Sequence, residues 1–232
     1  MNRYKIADLQ VDMDVSGRTL KQAAPYIAQP QGDADIVIQC DPASVLQANP
    51  TMKTLDLAEY MGTGTCFAKG LLEHNGFFLH SSAIMLDGKA YLFSAHCGTG
   101  KSTHTQKWIR LFGAEYLNDD KPALRRIGGT WYAYGTPWSG KHDLSAPVGV
   151  PLGGIAFLQR GEVNTIVPMQ PFEALMQLMP QTIRKLSQHQ MDKLLPLVDK
   201  LLHEVPVWQL TCRNDDDAAF VSHAAMTGEG RV

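Results

Sequence analysis

Ser94-Ala95-His96-Cys97-Gly98-Thr99-Gly100-Lys101-Ser102-Thr103 stands between an apolar run, Ala90–Ser94, and a stretch of helical character, Ser102–Phe112, closed by Gly113. The decade is one substitution from G-x-x-x-x-G-K-[ST], with Ala95 at the first glycine position. Strand, loop, Lys-Ser and helix in that order are the context the motif needs. Small residues let successive backbone N–H groups turn inward and form an anion-binding nest at the positive end of a helix. Gly98 and Gly100 meet that demand, while alanine is uncomfortable at φ > 0, so the chain is expected to pass Ala95 at an ordinary backbone angle. Lys101 is placed to reach outer phosphates as a point charge, and Ser102, with Thr103 beside it, to complete the shell of a Mg²⁺ that keeps several waters. His96, Cys97, Gly98, Thr99, Gly100, Lys101, Ser102 and Thr103 are therefore the nucleotide-binding candidates, with ATP and Mg²⁺ as the implied ligands.

Outward from this loop, Phe77–Leu86 and Ala90–Ser94 flank Asp87-Gly88, a strong hairpin signal. After the helix, the short strand Glu115–Asn118 ends in Asp119-Asp120. A carboxylate pair delivered to the same sheet edge as a phosphate loop suits both holding a metal and taking a proton from an attacking hydroxyl. His80 is a polar residue within an otherwise apolar strand, brought alongside the loop strand by the hairpin. Thr136–Lys141 reads as a loop between strands at Trp131–Tyr134 and Gly154–Leu158. Lys141 and His142 offer a clamp for phosphate or an acidic acceptor, and Trp138 a wall for a substrate. Equally, this is a tight turn held by Pro137 and Gly140, with Trp138 in the core.

Further out, Lys5–Val11 and Asp35–Gln39 read as strands, and Leu55–His74 as a helix weakened by Gly62 and Gly64 and ended by Asn75-Gly76. Pro171–His203 is a helical region broken by Pro180 and Pro196, followed by a strand, Val207–Cys212, and a last helix near Asp215. The implied fold class is α/β, a mixed sheet with flanking helices around a nucleotide-binding core at 75–232, with 1–74 an N-terminal segment of strands and a helix. Of 232 residues, 44% are hydrophobic and 19% charged, with a net charge of −2, which gives no bulk attraction to nucleic acid or an anionic membrane. No run is long enough to span a bilayer and no signal peptide is apparent, so a cytoplasmic protein is expected. Its four cysteines are scattered and read as reduced thiols.

His80-Ser81-Ser82-Ala83, the hairpin, the loop through Gly98–Ser102 and the Asp119-Asp120 pair, in that order, resemble the HPr serine kinase/phosphorylase family and its phosphoenolpyruvate-carboxykinase-like relatives. The likeness is densest over residues 77–122. It implies ATP- and Mg²⁺-dependent phosphotransfer to a hydroxyl on a peptide, protein or small molecule, with Asp119 as general base, Asp120 near the metal and His80 beside the transferred phosphate. The glycine-rich signature that serves HPr recognition is missing, and Gly135-Thr136-Pro137-Trp138-Ser139-Gly140-Lys141-His142 stands in its place, which leaves the acceptor open. The runner-up is an ATP-sensing module that docks a partner through the helices after Pro171. Association into a homo-oligomer is compatible with either.

Overall fold

In the computed structural model, which describes residues 1–229 other than Cys97, Lys141 and Arg184, the chain opens with a hairpin. Its strands are β1 (Asn2–Ile6) and β2 (Leu9–Met13). A single strand was expected over Lys5–Val11; instead the chain reverses at Ala7-Asp8, both in the left-handed region at φ 53° and 57°. Alanine is not a usual residue for such a turn. Tertiary contacts hold it: Arg125 donates to the Ala7 carbonyl at 2.6 Å, and Asp8 accepts from Tyr134 Oη and Lys5 Nζ, each at 2.9 Å. After α1 (Gly17–Ala23), β3 (Ile36–Ile38) joins β2 in parallel, and α2 (Pro42–Ala48) and α3 (Leu55–Leu71) follow. Asn75 ends the helical stretch at φ 56°.

The expected long strand Phe77–Leu86 divides into β4 (Gly76–Phe78) and β5 (Ser81–Leu86), with Leu79-His80 between. Next come β6 (Lys89–Ser94), α4 (Lys101–Phe112), β7 (Glu115–Asn118), β8 (Ala123–Ile127), β9 (Thr130–Tyr134), β10 (Gly149–Arg160) and β11 (Thr165–Pro168). The chain closes with α5 (Pro171–Leu178), α6 (Gln188–Glu204), β12 (Val207–Cys212) and α7 (Asp217–Thr227). Pro196 lies inside α6 without ending it, because Leu194, Leu197, Val198 and Leu201 bury that face and offset the lost backbone bond.

The strands from β4 onward form one curled mixed sheet, ordered β4-β8-β9-β10-β6-β5-β7, with β12 and β11 continuing beyond β10. Alternation along β6 and β10 sends Leu92, Ile155 and Phe157 to one core with α5 and α6, and Phe93, Ala156 and Leu158 to another with Trp108 of α4 and Ala219 of α7. A third cluster runs from Ile6, Val11 and Met13 through Phe67 and Leu71 to Phe78, Tyr134 and Trp138. β5 is antiparallel to both β6 and β7, while β10 and β12 run parallel to β6. One edge therefore collects the C-terminal ends of β6, β7, β10 and β12 and the start of β5. Among the described residues no helix is long and apolar enough to cross a membrane.

Candidate functional site

The loop leaving β6 at this edge turns through Gly98 (φ 79°) and Gly100 (φ 121°), while Ala95 stays out of the left-handed region and is buried against the α4 side of the sheet. A side chain at Gly98 or Gly100 would meet nothing, so backbone angle alone requires glycine there, and space is left beside both. Lys101 Nζ donates to the Ala95 carbonyl at 2.9 Å, folding back along the loop. Arg160, at the end of β10, donates to the carbonyls of Gly98 (2.6 Å) and Thr99 (3.3 Å), drawing those oxygens outward. His96 and Thr103 are exposed, and Cys97 lies outside the described residues. Beside the loop opens a polar cleft of about 520 Å³, lined by Gly98–Gly100, Thr103, Lys107, Arg160 and Arg213.

The end of β7 supplies the acids. Asn118, fully buried, accepts from the backbone N–H of Asp120 (3.0 Å) and Lys121 (2.7 Å), and this turn points the two carboxylates apart. Asp119 accepts from Ser102 Oγ at 3.1 Å and from Ser82 Oγ at 2.6 Å; Ser82 in turn meets Thr105 Oγ1 at 3.0 Å. Asp120 faces the other way, with Oδ1 3.4 Å from His80 Nε2 and Oδ2 accepting from Lys121 Nζ at 2.9 Å. Of the adjacent pair, Asp119 thus belongs to the loop serine, and Asp120 to the histidine.

His80 is held in the break between β4 and β5 by its backbone N–H, which donates to the Gln181 carbonyl at 2.8 Å, and its Nδ1 lies 3.0 Å from Gln181 Oε1. Burial, and then the charge of Lys101, lower its pKa, with Asp120 and Gln181 opposing. The neutral ring therefore has one proton to share between two acceptors.

The Thr136–His142 loop closes over Asp120 from the third side. Trp138 is fully buried, stacked on Phe67 with centroids 5.0 Å apart, and its Nε1 donates to Thr63 at 3.2 Å, so its indole is part of the core. Gly64 of α3 is what admits the indole, since a side chain there would clash with it. Gly140 is braced through both backbone groups: its N–H donates to Tyr60 Oη at 3.0 Å, and its carbonyl accepts from Arg18 and from Gln22 at 3.1 Å. Arg18 also lies over the Tyr60 ring, 4.0 Å from its centroid, and burial pushes the Tyr60 hydroxyl up to about 12. His142 is exposed and Lys141 lies outside the described residues. Arg125 and Arg126 point away, to the carbonyls of Ala7 and His74 and to Glu204. Tyr60, Arg18, Arg160 and Gln181 carried no sequence signal, since their elements reach the site only through the tertiary fold; Lys121 follows the aspartate pair directly.

Among the described residues no group of three or more His, Cys, Asp or Glu is placed to hold a metal. Ser102 and Asp119 offer two hard oxygens, as befits a cation that takes its other ligands from water and phosphate.

No protein-family model matches the chain, and no curated protein matches it by sequence. Among solved structures, the Hpr(Ser) kinase/phosphatase from Coxiella burnetii is similar at a TM-score of 0.41 and 9% identity, over 66% of this chain and 97% of that one.

Proposed function

We propose that this protein is an ATP- and Mg²⁺-dependent phosphotransferase acting on a hydroxyl. The observation that carries the reading is the division of labour at the end of β7, where one carboxylate meets the loop serine and its neighbour meets a histidine and a lysine. In this reading the amides at the start of α4 and Lys101 hold the phosphates, and the cleft beside Arg160 and Lys107 takes the rest of the nucleotide. Ser102 and Asp119 would hold Mg²⁺, which when bound neutralises charge on the phosphates. Asp120 takes the proton of the acceptor hydroxyl, while Lys121 and His80 hold its carboxylate in place. The family resemblance implies the opposite assignment of the two aspartates; the contacts of Ser102 with Asp119 and of His80 and Lys121 with Asp120 support this one. Peptide, protein and small-molecule acceptors all fit it.

The test is turnover and nucleotide affinity for Asp119→Asn and Asp120→Asn with Mg-ATP. Asp120→Asn should lower kcat by roughly 10²–10⁴-fold with ATP affinity unchanged. Asp119→Asn should abolish the Mg²⁺ dependence of ATP binding. Wild-type turnover by Asp120→Asn would remove the base assignment, and ATP binding without transfer to any hydroxyl would leave a nucleotide-binding module.

A further inference from the structure

On the far side of His80 and Lys121 from the loop lies a cavity of about 90 Å³. α3 contributes Tyr60, Met61 and Thr65 to its walls, Phe78 and Trp138 line it as well, and Ile183 lies across from them. Every polar side chain lining it already has a partner. Tyr60 Oη accepts from Gly140, Thr65 Oγ1 donates to the Met61 carbonyl at 2.8 Å, and Thr182 Oγ1 to that of Met179 at 2.8 Å. His80 and Gln181 meet each other, and Lys121 meets Asp120. A sugar or a phosphate entering here would meet the remaining ammonium donors of Lys121, but against Met61, Ala68, Phe78, Trp138 and Ile183 it would lose water without return.

We infer that this cavity is the acceptor site, and that it selects hydroxyl compounds carrying a compact branched aliphatic group next to the hydroxyl-bearing carbon chain. The inference rests on the phosphotransferase reading. His80 and Lys121 belong both to the cavity lining and to the contacts of Asp120, so an aliphatic group seated between α3 and Ile183 brings its neighbouring hydroxyl to that carboxylate. Size suggests the group: an enclosed apolar cavity of ~150 Å³ accepts benzene, and this smaller, half-open one suits ~4 branched carbons. In the transfer, the acceptor oxygen forms its bond to the γ-phosphorus, the bond from that phosphorus to the β–γ bridging oxygen breaks, ADP leaves, and the hydroxyl proton passes to Asp120.

The experiment uses ¹⁵N-labelled full-length protein and four probes: 3-methylbutan-1-ol, glycerol, N-acetyl-Ser-Leu-amide and N-acetyl-Ser-Asp-amide. Binding is read without nucleotide from the indole N–H signal of Trp138, assigned with Trp138→Phe, and transfer is read with Mg-ATP. The branched alcohol or the Ser-Leu peptide should shift the signal and exceed its polar counterpart in kcat/KM by at least about tenfold. Thr65→Trp, an exposed position at the cavity wall, should raise KM for the preferred probe by a similar factor. Success of the alcohol alone identifies a small-molecule acceptor, and success of the peptide alone a peptide one. Equal transfer to polar and aliphatic probes, with no Trp138 shift, overturns the acceptor site and leaves the phosphotransferase standing. A Trp138 shift without transfer to any probe overturns the acceptor role of the cavity.

Discussion

Two glycine-bearing loops meet at one sheet edge, and Gly98 and Gly100 of one are there for a different reason from Gly135 of the other. In the loop between β6 and α4, Gly98 and Gly100 adopt left-handed angles beside open space. In the loop between β9 and β10, a side chain on Gly135 would collide with the carbonyl oxygens of Ala146 and Leu117, and Gly140 is pinned by Tyr60, Arg18 and Gln22. The first loop is shaped around a volume that protein does not fill. The second is filled to contact and serves as a wall for Asp120. Glycine in a sequence is thus compatible with a ligand or with a neighbour, and only packing separates the two.

The contrast can be broken most forcefully at Lys101. Lys101→Ala should lower phosphotransfer by about a thousandfold while the unfolding midpoint in urea barely moves; a large loss of stability would make the loop a structural element. Gly135→Ala should do the converse, lowering unfolding free energy by about 3 kcal/mol through overpacking against backbone, as measured by urea titration. An acid titration sharpens the difference further. His104 of α4 is buried against Phe93 with Nε2 2.9 Å from Ser222 Oγ, and burial, aided by Lys107, lowers its pKa to about 3. The folded state keeps this ring neutral whereas the unfolded chain protonates it below about 6.5, so stability is present above that pH and is lost as pH falls toward 3. The loss should reach about 2 kcal/mol between pH 6.5 and 5, and His104→Gln should flatten the profile; an unchanged slope would rule this group out. Least of all, Gly98→Ala should cost about 1 kcal/mol of stability, from the backbone angle alone, and yet weaken ATP binding measurably by calorimetry.

The loop was legible because its signal is local: strand, glycines, Lys-Ser and helix succeed one another in the chain. So were the Asp87-Gly88 hairpin and the arrival of Asp119-Asp120 at the same edge. The orientation of the two aspartates was not, since adjacent residues differ only through the turn that Asn118 imposes. The Ala7-Asp8 reversal was equally hidden, because Arg125 and Tyr134, which hold it, are far along the chain. His80 was placed within a strand on its apolar neighbours, yet the sheet breaks there, and that break is what frees its backbone N–H for Gln181.

The twelve residues of β10 carry a consequence for how the molecule assembles. Its first residues pair antiparallel with β9, and its later ones lie parallel between β6 and β12. The hairpin of β5 and β6 can close on its own, but the flank of β6 facing β10 waits for a strand more than fifty positions further along, and β10 waits again for β12 at Val207–Cys212. Parallel pairings over such separations form slowly. As the chain emerges during synthesis, an apolar sheet edge is therefore exposed until the C-terminal strand arrives, and this interval is when the nascent protein is most exposed to aggregation.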